Sequence, residues 1–214
     1  MTVDARPEPF FIADDAALDF LNSIASPWGK DIEWLENGVD FVNWLETAGL
    51  IPGHAATFYR DQTSSAELDA VTEEARALRE WFRTYVSSYG GGVLPVAAQD
   101  GLSKINQILA GGARYTQILI PDEVKAAGDP IMPSLGAVQR WRGVDDLLLP
   151  LADVMAKLIC EAGFERVKNC EGPTCTMWFN DISKNHTRRW CTMSVCGNRA
   201  KAAAFRAKKK SSAS

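Results

Sequence analysis

Long apolar runs are missing from this 214-residue chain. No stretch approaches the 18 or so apolar side chains that a helix needs to cross a bilayer. The opening residues, MTVDARPEPF, lack the apolar segment of an export signal. The expectation is therefore a cytoplasmic protein without a membrane partner. Histidine is nearly absent, with only His54 and His186, and there is no G-x-S-x-G, H-E-x-x-H or phosphate-loop pattern. These absences remove the common hydrolase, metalloprotease and nucleotide-binding signatures, and the expectation is a protein that is not an enzyme. Internal repeats are missing, and the one low-complexity segment is the tail KKKSSAS. Wholesale disorder is excluded by what is present: 46% apolar residues, among them seven Trp and nine Phe.

The net charge of −4 conceals two unlike parts. Residues 1–164 carry 12 Lys and Arg against 24 Asp and Glu, whereas residues 165–214 carry 11 against 3. An acidic body with a basic arm is a common arrangement for contact with a polyanion; a basic tail bound to its own acidic body is the alternative.

Cysteine is divided in the same way. Four of the five lie between Cys170 and Cys196, while Cys160 sits in an apolar helical stretch that predicts a buried free thiol. Cys170 and Cys175 are separated by four residues, as are Cys191 and Cys196. Two such pairs supply the four tetrahedral ligands of one structural Zn2+ ion in a reducing compartment. Buried thiols, an adventitious disulfide, or His186 in place of one cysteine are the other readings. Four thiolates leave no open position for water, so such an ion would hold the fold rather than catalyse. Its binding would supply about 10 kcal/mol or more of folding free energy. Removing it is expected to unfold the cysteine module and leave the body standing.

Along the body, Phe10–Ile12 reads as a strand and Ala16–Ser23 as a short helix. Asn37–Ala48 reads as a helix stopped by Gly49. Ser64 and Glu67 form a capping box ahead of Leu68, Val71, Ala75, Leu78, Phe82, Tyr85, Val86 and Tyr89 at helical spacing. Gln99–Ala110 predicts another helix, Tyr115–Ile120 and Ala137–Trp141 two strands, and Asp145–Glu161 a last helix in which Pro150 lies in the first turn or kinks it. The fold class is α+β: an α-rich N-terminal domain over 1–164 with a few short strands, then a treble-clef zinc finger over 165–214. In that finger TMWFN and HTRRW make a hairpin, and Ser194 caps a helix whose first turn holds Cys196.

On that final helix, Cys196, Ala200, Ala203 and Ala207 share a narrow face suited to the knuckle. The opposite arc carries Asn198, Arg199, Lys201, Arg206, Lys208 and Lys209, with Phe205 expected to pack on the body. Arg188 and Arg189 add charge from the hairpin. This is a geometry for DNA: Arg199, near the helix start, suits a base edge and the lysines suit phosphates. A solvated basic helix is the alternative. Asp19 and Asn22, one helical turn apart, are candidates to line a ligand pocket, or else they cap or bridge local backbone. The tryptophans of the body read as core.

Cys196-Gly197-Asn198-Arg199, the Cys170/Cys175 pair, WFNDISKNHTRRWC over Trp178–Cys191, and Ala200-Lys201 together resemble the CGNR-type zinc-finger family. LDFLNS (Leu18–Ser23) and WLETAGL (Trp44–Leu50) resemble the ABATE domain that precedes this finger. The resemblance implies a stress-induced transcription regulator with a finger for DNA and a body that takes an unidentified small-molecule ligand. It carries the four cysteines over as metal ligands and matches Arg188, Arg189, Arg199 and Lys201. The competing function is a zinc-stapled protein-interaction adaptor whose basic helix docks on an acidic partner. A homodimer would suit paired half-sites, although no heptad seam is present.

Overall fold

The computed structural model describes residues 6–120, 132–161 and 163–211. The residues read for an export signal at 1–5, and the end of the Lys/Ser tail at 212–214, lie outside them. Six helices make most of the body: α1 (Ala16–Leu21), α2 (Gly38–Thr47), α3 (Gly53–Gln62), α4 (Ser65–Tyr89), α5 (Gln99–Gly111) and α6 (Leu149–Cys160). Two small antiparallel pairs accompany them, β1 (Ile24–Ala25) with β2 (Ile32–Glu33) and β3 (Arg114–Leu119) with β4 (Ser134–Gln139). The C-terminal part adds β5 (Val167–Asn169), β6 (Trp178–Asn180) and α7 (Asn198–Ser211).

Local chemistry explains the boundaries. Asp15 accepts from the amides of Ala17 and Leu18 and so starts α1. Asn37 accepts from the Asp40 amide at the head of α2. Ser64 and Glu67 close the expected capping box, and α4 buries Leu68, Val71, Ala75, Leu78, Phe82, Tyr85 and Val86 as one stripe. Gly38 lets α2 pass against α4, because a Cβ there would come 2.2 Å from the Leu68 Cβ and 2.6 Å from its carbonyl carbon. Pro150 falls in the first turn of α6, after a short 3-10 turn over Val144–Leu148.

Several expectations are corrected. Helix α3 is unannounced by its sequence: Pro52 offers no side-chain cap, and only Ala55, Ala56 and Tyr59 are buried. Phe10–Ile12 is no strand. The amides of Ile12 and Ala13 donate to Asp19 Oδ1, each at 3.0 Å, and the Ala13 carbonyl accepts from the Asn180 amide at 2.8 Å. Cys160 is exposed, since the buried stripe of α6 runs through Leu151, Ala152, Met155 and Leu158 and leaves it at the rim.

One hydrophobic core runs from Ala13 through α1, α2, α4 and α6 into Phe179 and the four cysteines. At its wall lies Arg79, 2% exposed, which donates to Ser23 Oγ (2.8 Å) and grips Glu33 through both carboxylate oxygens (2.8 and 2.5 Å). Burial raises the Glu33 carboxyl, yet the Arg79 hydrogen bonds and charge outweigh it and hold the group below its ordinary value. Arg79→Ala strands that carboxylate and is expected to cost about 3 kcal/mol, read as a lower urea midpoint. Glu33→Gln in the same background should recover part of the loss.

Candidate metal centre

Strand β5 delivers Cys170 into a tight turn, and β6 leaves it antiparallel, with Val167 opposite Asn180 and Asn169 opposite Trp178. Inside the turn the Cys170 amide donates to the Met177 carbonyl (2.8 Å) and the Cys175 amide to the Gly172 carbonyl (3.0 Å). Gly172 lies against the sulfurs: a Cβ there would be 3.0 Å from the Cys175 Cβ and 3.3 Å from Cys196 Sγ. The hairpin therefore encloses the first cysteine pair. The expected pairing of TMWFN with HTRRW is replaced by pairing of β6 with β5. The second half of the site starts at Thr192, not Ser194; its hydroxyl accepts from the Val195 amide at 3.3 Å and opens a widened turn, Met193–Gly197, that leads into α7. Cys196 sits in that turn.

The four Sγ atoms all lie within 4.8 Å of one another, and every one of these cysteines is buried. Corners of a tetrahedron with arms of about 2.3 Å are about 3.8 Å apart. Cys175 and Cys191 are separated by 3.8 Å and Cys191 and Cys196 by 3.6 Å, far beyond the roughly 2.05 Å of a disulfide. The Cys191 amide donates to Cys170 Sγ at 3.3 Å, as backbone does to a bound thiolate. Hydrogen bonds from Cys175 and Cys191 pull the Cys170 thiol down, and the bond to Cys170 pushes Cys191 up. The donor set fits one structural zinc ion. His186 is not part of it; its Nδ1 lies 2.9 Å from the Asp181 carbonyl oxygen.

The finger is seated on the body through many polar contacts. Asn22 Nδ2 donates to the Trp178 carbonyl (2.8 Å) and its Oδ1 accepts from the Trp178 amide (2.9 Å). The Ser26 amide donates to Thr176 Oγ1 at 2.8 Å. Arg188 points inward: it pairs with Asp14, donates to the Ile12 carbonyl (3.1 Å) and the Trp190 carbonyl (2.9 Å), and lies 4.2 Å over the Phe179 ring. Asp181, fully buried, accepts from Lys168 Nζ (2.6 Å), the Ser183 amide (3.1 Å) and the Arg188 amide (2.9 Å). Burial raises its carboxyl, but these donors hold it well below the usual carboxylate range. Sequence reasoning passes over Asp181, although its Asp-Ile-Ser spacing is a signal for side-chain-to-backbone turn bonding.

The remaining candidate residues divide by side. Asp19 and Asn22 both bond to backbone: Asp19 to the nearby amides of residues 12 and 13, as the local alternative expects, and Asn22 to Trp178, 156 residues along the chain, as neither expectation foresees. Arg189 donates to Glu171 through Nε (2.7 Å) and lies 4.9 Å from the Trp190 ring. Asn198 Nδ2 donates to the Ser194 carbonyl (3.1 Å), and Arg199 to the Pro27 carbonyl (2.6 Å). Every residue of α7 from Lys201 to Lys209 is exposed. Phe205, expected on the body, is 71% exposed. The small-residue face holds for two turns: Ala200 and Ala203, flanked by Arg199 and Arg206, face Pro27, Pro173 and Thr174 across a groove of about 240 Å3. Ala207 lies beyond it.

A buried knuckle of four cysteines, a helix entered through the turn that carries the last of them, and an acidic helical body define a zinc-finger protein with an α-rich N-terminal part. Residues 166–209 match the CGNR zinc finger model, and residues 14–162 match the ABATE model, described as "Putative stress-induced transcription regulator". The chain belongs to the ABATE family. A search of curated proteins finds no match. Among the described residues no helix is long and apolar enough to cross a membrane.

Two measurements test the metal site and a third tests the packing of α1. Metal analysis should return one zinc per chain. Because finger and body share a core, chelation is expected to lower the melting of both in one calorimetric transition, and not to spare the body. The third measurement concerns Asp19, whose carboxyl is raised from 3.8 to about 6, first by burial and further by Asp15 and Asp14. Its contribution to stability is complete at low pH and is lost as pH rises through about 6. Asp19→Asn keeps the oxygen acceptor without the charge. It should remove on the order of 1 kcal/mol of that pH dependence, seen as a smaller difference in Tm between mildly acidic and neutral buffer.

Proposed function

We propose that this chain is a DNA-binding transcriptional regulator in which the zinc-fixed helix α7 supplies the cationic contact surface. One observation carries this reading: the helix is exposed to solvent from Lys201 to Lys209, a stretch that includes Lys201, Arg206, Lys208 and Lys209. An exposed cationic helix anchored at one end is a fit object for a groove lined by phosphates. In this reading Asn198 and Arg199, near its start, turn to base edges on binding, Arg199 releasing the Pro27 carbonyl and Asn198 that of Ser194. Arg189 adds a charge that Glu171 partly offsets. Arg188 belongs to the seam with the body and is left out of the contact set. The sensing half of the reading moves from Asp19 and Asn22 to a cleft of about 530 Å3, where Gln107, Arg142 and Asp145 meet Ile108 and Leu149.

One feature favours the adaptor reading: Phe205 is bare in the middle of the cationic helix, as an anchor for an acidic protein partner would be.

Gel-shift titration against random duplex DNA at graded salt separates the two. The regulator reading expects binding that weakens steeply with salt. Lys201→Ala combined with Arg206→Ala should lower the slope of log affinity against log salt by about 0.9 for each phosphate that is no longer neutralised. Arg188→Ala should lower stability and leave that slope unchanged. Failure to bind duplex at low salt, or binding indifferent to salt, would refute it.

A further inference from the structure

The cleft assigned above to sensing opens where α4, the end of α5 and the segment leading into α6 meet. At about 530 Å3 it falls in the size range of small-molecule sites. One wall is apolar: Leu148 and Leu149 are buried, and Ile108 is half-buried against the core. The other side is acidic. Glu74 of α4 and Asp145 both line the cleft, both are exposed, and neither has an ion-pair or hydrogen-bond partner among the described residues.

Among the described residues Arg142 is the lone base in the lining, and its charge is already matched. Its amide donates to Asp146 Oδ2 (2.6 Å), and its guanidinium lies 3.5 Å from Asp146 Oδ1 and donates to the Gly111 carbonyl (2.7 Å). The last of these bonds is an independent sign of what the cleft attracts. Helix α5 ends at Gly111 with no basic residue in its own last turn, so its final carbonyls and their partial negative charge face the cleft uncompensated. Arg142 reaches across to one of them and leaves the two carboxylates unmatched. Tyr59, whose hydroxyl donates to the Gly143 carbonyl at the cleft wall (2.8 Å), feels the same field: burial, then the charges of Asp146 and Asp145, raise its phenol above the ordinary value.

We infer that this cleft takes a small organic cation, its ammonium group held by Glu74 and Asp145 and its apolar body laid on Ile108, Leu148 and Leu149. This ligand class rests on the sensing half of the regulator reading and gives that half its chemistry. An organic anion meets two bare carboxylates, and the one cation that could pair with it is engaged. A divalent metal ion needs oxygen ligands on every side, which the leucine and isoleucine wall withholds. A neutral molecule of the same shape gains the wall alone.

The test is isothermal titration of the full zinc-loaded chain with phenethylammonium, beside its neutral and anionic isosteres, phenethyl alcohol and hydrocinnamate. The cation should bind at millimolar concentration or below, at least about tenfold more tightly than either isostere, and more weakly as salt is raised. Glu74→Gln combined with Asp145→Asn, with unchanged circular dichroism and zinc content, should weaken the cation about tenfold and leave the alcohol as it was. Alcohol or acid binding as tightly as the cation overturns the proposal and leaves the cleft standing as a ligand site. No binding by any of the three overturns the proposal and the sensing cleft together. Cation binding that the variant leaves intact belongs to another site and overturns the proposal as well. Should the variant not fold, hydrogen exchange on the wild type decides: amides of 107–111 and 142–149 must gain protection with the cation, and unchanged protection there overturns the proposal. DNA binding is measured separately, by gel shift, and stands or falls apart from all of these outcomes.

Discussion

The structure depends on the seam where the cysteine-bearing segment meets α1 and the residues just before it. Asn22 and the backbone of Trp178 exchange two hydrogen bonds across a separation of 156 residues. Arg188 closes the same seam from the other side, reaching Asp14 and the Ile12 carbonyl. A planar amide that donates and accepts at one peptide unit imitates a strand neighbour, so α1 serves as an edge for β6 without being a strand. Phe179 then enters the core to which Leu18 and Leu21 of α1 also belong. The finger is thus held in a fixed pose on the body, and the metal site inherits that pose through β5 and β6.

The polar chemistry along this seam makes sparing use of charge. Asp181 is buried completely yet remains ionised, because a lysine, a serine and two backbone amides surround it. Arg188 takes the opposite role: a cation with carbonyls, a carboxylate and an aromatic face around it, in the geometry that favours arginine over lysine. Two cations that composition alone assigns to the basic surface, Lys168 and Arg188, are in this way drawn toward the interior. The cationic character turned toward solvent is concentrated in α7.

Much of this is legible in the sequence. The capping box at Ser64 and Glu67 and the stripe from Leu68 to Val86 specify α4 because both signals are local and periodic. The four cysteines are equally plain, since sulfur at paired short spacing has few other uses in a reducing setting. What escapes is what depends on distant partners. Nothing near Pro52 announces α3, whose few buried side chains are small apart from Tyr59. Phe10–Ile12 has the composition of a strand, but the Ile12 amide is taken by a carboxylate seven residues on. TMWFN is indeed extended at its core, yet nothing in its composition says that it pairs backward with Val167–Asn169. Asp19 and Asn22 stand out as unusual polar groups on an apolar helix, and their partners are the chain itself.

The seam also constrains how the protein is made. The groups of α1 and the 10–14 segment leave the ribosome well over a hundred residues before their partners, Trp178 to Arg188. Until those partners emerge, a growing chain carries Asn22 without Trp178 and the slot for Phe179 unfilled, so completion of the core waits on synthesis of the finger. A nascent body is therefore an aggregation hazard that only residues made much later relieve, and a message truncated before Cys170 would yield a product with that slot left open to other chains.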